Sequence, residues 1–254
     1  MLEIKKFSKT YRGGVRAVDR LTLHVEPGDL CAFIGHNGAG KSTTIKAIAG
    51  VLSFEEGEIA VGGHSVREEP MACKKLLAYI PDNPDLYEHL TGIQYLNFIG
   101  DIFGIPSEVR TERIARYSGL FDLEPSLGDL ISSYSHGMKQ KLALISAVLH
   151  DPKLLILDEP FVGLDPLASR ALKDLMRALC ADGCAIFFST HVLEVAEKLC
   201  NKVAVIHQGR LLFTGTMSGL LGRKKGASLE DIYLGLLDGT GVKAESVKGS
   251  TDHD

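Results

Sequence analysis

The sequence predicts an α/β protein with a parallel-sheet core, an N-terminal antiparallel β layer and an α-helical subdomain inserted within the core. Three observations predict it. A glycine-rich stretch, Gly35-His36-Asn37-Gly38-Ala39-Gly40-Lys41-Ser42-Thr43, sits between an unbroken apolar run, Leu30 to Ile34, and a helical pattern from Thr43 to Leu52. Another apolar run, Leu154 to Leu157, ends in Asp158-Glu159-Pro160. Apolar runs without alternation read as strands covered on both faces, as in a parallel sheet. Between the two lies a stretch, 83–151, whose apolar residues recur at helical rather than strand spacing.

Taken in order, Leu2 to Phe7 alternates apolar and polar residues and reads as a strand. The turn Arg12-Gly13-Gly14 follows, then Leu21 to Val25 with strict alternation. Glu26-Pro27-Gly28-Asp29 reads as a tight turn into Leu30 to Ile34, so that strand pair is expected to be antiparallel. Beyond the first helix come a turn at Ser53 to Gly57, a strand from Glu58 to Val61 ended by Gly62-Gly63, a helical piece from Glu68 to Leu76, and a short strand, Leu77 to Ile80. Pro81 and Pro84 then stop regular structure.

In the helical stretch, Thr91 is placed to cap a helix with Ile93, Leu96, Phe98, Ile99, Ile102 and Phe103 on its apolar side. Ser107 is expected to cap a second, with Val109, Ile114 and Tyr117 inward. Ser135 starts a third, with Leu142, Ile145, Val148 and Leu149. After the strand ending at Asp158, Pro166 fits the first turn of a helix carrying Leu167, Ala171, Leu175 and Leu179 inward, closed by Gly183. Ala185 to Ser189 reads as a buried strand and Val192 to Cys200 as a helix. Val203 to His207 and Leu211 to Thr214 form a hairpin around Gln208-Gly209-Arg210, and Ser228 to Leu237 is a last helix. Residues 1–238 are thus expected to form one domain, and the polar, Gly- and Ser-containing stretch 239–254 a disordered tail.

Composition narrows the function classes. The chain of 254 residues is 45% apolar and 24% charged, with a formal net charge of −4. Those are ordinary values for a globular protein, and a nucleic-acid partner is not expected without an excess of Lys and Arg. The densest basic run is Arg223-Lys224-Lys225. No apolar stretch reaches the ~18–20 residues of a membrane span, and the start lacks an apolar signal core. A cytoplasmic location follows as the expectation. Cys31, Cys73, Cys180, Cys184 and Cys200 lack metal-ligand spacing and read as small buried thiols.

The glycine-rich stretch carries the clearest chemistry. Gly35, Gly40, Lys41 and Ser42 match G-x-x-x-x-G-K-[ST], the phosphate-binding loop. Such a loop turns successive backbone N–H groups toward an anion at a helix N-terminus. Lys41 supplies a full charge to the β and γ phosphates, and the Ser42 hydroxyl is a ligand for Mg²⁺. Asp158 stands at the carboxyl end of a buried strand, where open α/β sheets bind ligands, and suits Mg²⁺ held through water. Glu159 suits the water that attacks the γ-phosphate. Ser135 and Gly137 open a helix and offer a second anion site, read alone no more than an ordinary helix cap. His191 follows a strand end, from which it reaches either a phosphate or the catalytic carboxylate; a structural role is the alternative.

Together these residues resemble the nucleotide-binding subunit of ATP-binding cassette (ABC) transporters, over about Leu2 to Leu237. The resemblance implies the ABC ATPase fold on a P-loop core, and hydrolysis of ATP with Mg²⁺. It makes Tyr11 the aromatic that stacks on adenine and Gly35 to Thr43 the Walker A loop. Asp82 stands at the Q-loop position and is a further oxygen ligand for Mg²⁺. Ser135 and Gly137 belong to the signature motif, and Asp158 and Glu159 end the Walker B strand. Gly163-Leu164-Asp165 is the D-loop, and His191 the switch histidine. It also implies two such subunits head to tail, as a homo- or heterodimer, each nucleotide held between one Walker A loop and the other signature helix. The pair drives an integral membrane permease, which places the chain on the inner face of the cell membrane.

This sequence departs from the family's usual pattern in three places. Asp82 replaces Gln, the signature reads Tyr134-Ser135-His136-Gly137-Met138 in place of Leu-Ser-Gly-Gly-Gln, and His36 replaces a common Pro. At His36 the backbone is expected to matter more than the side chain. The altered Q-loop and signature, and a chain without the C-terminal regulatory domain of many importer subunits, point to export. Leu86, Tyr87, Leu90 and Tyr95 are candidates for the contact with the permease, or else subdomain core. Two alternatives are a soluble ABC-type ATPase acting in DNA repair or on ribosomes, and a P-loop kinase. The first usually has a coiled-coil insertion or tandem cassettes; Glu159, the signature helix and His191 argue against the second.

Overall fold

The computed structural model describes residues 1–222 and 226–238; Arg223-Lys224-Lys225 and the polar stretch 239–254, with its expected disorder, lie outside the described residues. Two sheets form its frame. The first contains β1 (Leu2–Thr10), β2 (Arg16–Val25), β4 (Glu56–Val61) and β5 (His64–Ser65), in the order β2-β1-β4-β5 and antiparallel throughout. The second contains β3 (Leu30–Ile34), β6 (Leu77–Ile80), β7 (Leu154–Asp158), β8 (Ala185–Thr190), β9 (Lys202–His207) and β10 (Arg210–Thr216). Its order is β10-β9-β3-β8-β7-β6, parallel except for the β9–β10 hairpin.

Strand pleating explains how the sheets pack. In β3 all five residues are buried, but alternate side chains enter different cores. Cys31 and Phe33 join Leu2, Ile4, Phe7, Leu21, Leu23 and Val25 of the antiparallel sheet, with Ile45 and Ile48 of helix α1 (Lys41–Ile48) between the layers. Leu30, Ala32 and Ile34 face the opposite core, beside Leu142, Ile145 and Leu149. The expected antiparallel pairing of the strands flanking Glu26 to Asp29 is overturned. β2 pairs with β1, whereas β3 lies between β8 and β9, and the turn carries the chain from one sheet to the other. Leu30 to Ile34 is apolar at every position and needs cover on both faces, which its place in the parallel sheet provides, whereas β2 alternates buried and exposed residues and belongs to a sheet with one open face.

Helix α2 (Pro70–Leu76) precedes β6. Between β6 and β7 lie α3 (Gly92–Ile102), α4 (Ser107–Leu120) and α5 (His136–Val148), with short 3₁₀ turns at Glu124–Ser126 and Ile131–Ser133. Thr91 caps α3 with a full capping box, its side chain accepting from Gln94 N–H while Gln94 reaches back to Thr91 N–H. Ser135 caps α5, accepting from Met138 N–H. The expected cap at Ser107 is corrected: Pro106 holds that place and Ser107 is the first helical residue. Burial corrects two apolar faces as well. On α3 the inward residues include Tyr95 and Leu96, while Phe98 and Ile102 are exposed. On α6 (Pro166–Ala181), capped by Asp165, Leu167 is 81% exposed, while Leu172 and Met176 join the expected Leu175 and Leu179 in the core.

The chain closes with α7 (Leu193–Leu199), the β9–β10 hairpin, α8 (Met217–Leu221) and α9 (Leu229–Leu237). Cys31, Cys73, Cys184 and Cys200 are buried and Cys180 partly so, all free thiols. Among the described residues no helix is long and apolar enough to cross a membrane.

Candidate functional site

Parallel register lines up the carboxyl ends of four strands. Ile34 of β3 pairs with Thr190 of β8, Ser189 of β8 with Asp158 of β7, and Leu157 of β7 with Ile80 of β6. The next residues along each chain, Gly35, His191, Glu159 and the Asp82 turn, therefore emerge on one edge of the sheet. A cavity of about 230 Å³ opens there. It is lined by His36, Asn37, Gly38, Gly40, Lys41, Ser42, Thr43, Asp82, Asp158 and Glu159, with Ala17 added from β2.

The loop has the shape its glycines permit. Gly40 lies at φ 109, a left-handed conformation, and a Cβ there would stand 2.6 Å from the Ala17 carbonyl. At Gly35 a Cβ would stand 2.5 Å from the Ile206 carbonyl. Lys41 begins α1 and is only 6% exposed. Its ammonium donates to Gly35 O at 2.6 Å and His36 O at 3.4 Å, and lies 3.6 Å from Glu159 Oε1. Carbonyls of the loop itself thus occupy the charge that phosphate oxygens would take.

The acidic edge is held by a serine whose role the sequence did not reveal. Ser189 Oγ donates to Asp158 Oδ1 and accepts from Glu159 N–H at 3.0 Å. Asp158 is buried at 2% exposure. Glu159 lies at φ 47, a left-handed conformation unusual for a non-glycine residue, of the kind that costs about 1–3 kcal/mol and collects at functional sites. This conformation turns its carboxylate toward Lys41 on one side and His191 on the other. His191 Nδ1 lies 3.0 Å from Glu159 Oε2. The phenol of Tyr79 is pushed up to about 12, chiefly by burial, then by Asp158 and Asp82, which places both carboxylates in one electrostatic neighbourhood.

Tyr11 stands beside the loop, its hydroxyl 3.3 Å from Thr43 Oγ1 and its ring partly exposed. Ser135, Gly137 and Asp165 are gathered elsewhere, around the N-terminus of α5. Asp165 pairs with Lys141 of α5 at 3.0 Å; its carboxyl lies below its usual range because it accepts from Ala168 N–H and then because of Lys141. His136 fills the space over Gly163, where a Cβ would stand 2.6 Å from its ring. Gly137 lies against the Gly163 carbonyl in the same way. Lys139 reaches Glu88 in an ion pair, which ties α5 to the segment after Asp82.

The side chain of His36 departs from its expected passive role. Its Nδ1 lies 2.6 Å from the Asn37 carbonyl and its Nε2 3.1 Å from His207 Nδ1. Ala17, Ser189 and His207 went unread because each acts through a contact between distant segments. Ser189 carried the only local hint, standing two residues before His191 at the end of a buried strand.

Comparison with known proteins agrees with this geometry. Residues 18–162 match the ABC transporter family. The chain is 38% identical over 218 residues to the ABC-type transporter ATP-binding protein EcsA of Bacillus subtilis (strain 168), covering 85% of this chain and 88% of that protein. It is 31% identical over 229 residues to the linearmycin resistance ATP-binding protein LnrL of the same organism, covering 90% and 73%. A solved ATP-binding subunit of an ABC transporter superposes with a TM-score of 0.89 at 37% identity, covering 93% of this chain and 99% of that one. With this fold, this loop and this similarity, the chain belongs to the ABC transporter family as an ATP-binding subunit, and it is an ATPase.

Proposed function

We propose that the chain powers export through an integral membrane permease, with ATP closing a head-to-tail pair of cassettes and hydrolysis releasing it. The observation that carries the reading is the division of the candidate residues into two groups. The phosphate loop, Asp82, Asp158 and Glu159 share one cavity, with His191 on Glu159. Ser135, Gly137 and Asp165 cluster at another place, around α5. A second cassette, facing the first, completes each cavity with the other's helix N-terminus. The partner cassette is a second copy or a related chain.

Within a cavity the roles follow from the chemistry. Backbone N–H groups of Gly38 to Lys41 and the Lys41 ammonium hold the triphosphate, and Tyr11 stacks on the base. Glu159 orients the attacking water and takes its proton, with His191 steadying the carboxylate. Ser42, Asp158 and Asp82 are hard oxygen donors on one wall. No group of three or more His, Cys, Asp or Glu among the described residues forms a cage for a metal by itself. That fits Mg²⁺, which keeps waters and takes phosphate oxygens rather than an all-protein cage. When bound, the ion supplies charge neutralisation of the phosphates.

Export is favoured by the similarity to a protein named for linearmycin resistance and by the altered signature and Asp82. The permease contact is placed at an exposed apolar patch after Asp82. Leu86 and Tyr95 belong to the core, at 8% and 9% exposure, so they are removed from the docking set. Tyr87 is 51% exposed and packs edge-on against Phe98, with ring centroids 5.5 Å apart. A permease seated there holds the chain on the cytoplasmic face of the membrane. Tyr87→Asp is expected to keep ATP affinity and to lose co-purification with an integral membrane protein after mild detergent extraction. Intact co-purification and transport would remove Tyr87 from the contact. Direction is tested in a strain without the gene: lower tolerance of antibiotics supports export, whereas failure to grow on a scarce nutrient supports import.

A further inference from the structure

The phosphate loop is braced from outside by the turn of the β9–β10 hairpin. Gly209 N–H donates to Ala39 O at 2.9 Å, and Gly209 O accepts from Asp19 N–H at 2.8 Å. Two residues earlier, His207 meets His36 edge to face, with ring centroids 4.9 Å apart and planes at 69°. Proline, common at this loop position in the resembled family, makes no such contact.

Donor and acceptor assignments follow from the neighbours. The Asn37 carbonyl only accepts, so His36 Nδ1 carries its proton. The neutral ring then has a bare Nε2, and His207 donates to it from Nδ1 across 3.1 Å. His36 is thereby fixed at both ring nitrogens. Its own carbonyl and that of Gly35 form the resting seat of the Lys41 ammonium. Fixing the ring fixes the peptides around which the loop curls.

We infer that His207 is a positioning residue for the triphosphate: through His36 it holds the phosphate loop in its binding shape before nucleotide arrives. A loop ordered in advance loses less conformational freedom on binding. The gain is the same for ground state and transition state, so it lowers KM and leaves kcat alone. The inference rests on Gly35 to Thr43 being the ATP phosphate site.

The test measures Mg-ATP affinity on the full chain and steady-state hydrolysis in the assembled transporter. The variants are His207→Ala, His207→Asn, His36→Pro and the double variant that joins His36→Pro to His207→Ala. His207→Ala is expected to raise Kd and KM by about two- to tenfold, the size of one neutral hydrogen bond, with kcat little changed. His207→Asn, whose amide nitrogen falls where Nδ1 was, should recover most of the loss. In the His36→Pro background the change of His207 to Ala should have no further effect, because the bonded partner is already gone. Unchanged affinity in His207→Ala overturns the inference. So does an equal loss in both backgrounds, a fall in kcat alone, or an Asn variant no better than Ala. Lys41→Ala separates the two readings: if it too leaves affinity unchanged, the phosphate site itself is misplaced, whereas loss in Lys41→Ala alone removes only the brace.

Discussion

Glu159→Gln is expected to bind ATP normally and to hydrolyse it about 10²–10⁴-fold more slowly, the range for loss of a general base. The amide keeps the size of the carboxylate and a hydrogen-bonding atom for His191 Nδ1, now 3.0 Å away. It loses the negative charge and the basicity. Lys41, 3.6 Å from Glu159 Oε1, loses a competing anion and turns more fully to phosphate. ATP-bound dimers should therefore accumulate in the assembled transporter. Phosphate release measured beside size-exclusion chromatography with ATP checks both halves. Near-normal turnover would remove Glu159 from the catalytic role.

Lys41→Ala is the second large effect, and it falls on binding rather than turnover. A charged hydrogen bond contributes about 1.5–3 kcal/mol, and Lys41, which lines the cavity, is only 6% exposed, with little water to replace it. Mg-ATP affinity should fall by about 10- to 150-fold, read by titration of the full chain. The fold should persist, because the residues that hold α1, Ile45 and Ile48, are fully buried and untouched. An affinity within about threefold of the parent would place the triphosphate elsewhere.

Local rules made the sheet core and its loop legible. Leu30 to Ile34 and Leu154 to Leu157 are apolar without alternation, and each proved buried along its whole length. Glycine spacing in Gly35 to Thr43 encodes a backbone path, which needs no knowledge of distant residues. Pairing was less legible, because alternation in β2 shows that one face is buried but not which strand lies beside it. Helix faces failed for a related reason. α3 carries apolar residues on two sides, and periodicity does not say whether Phe98 and Ile102 face the core or a surface; they face the surface. The roles of Ser189 and His207 were not legible because they depend on contacts with groups 30 and 171 residues away.

With Glu159 as the proposed base, its left-handed turn sets stability against activity at a single residue. Glycine would sit at φ 47 without strain, so Glu159→Gly relaxes the backbone while deleting the carboxylate. Selection for heat tolerance alone would be drawn toward that change and away from turnover. The functioning protein keeps a locally disfavoured residue where β7 ends, held by the Ser189 hydroxyl on its N–H and by the neighbouring strand beneath it.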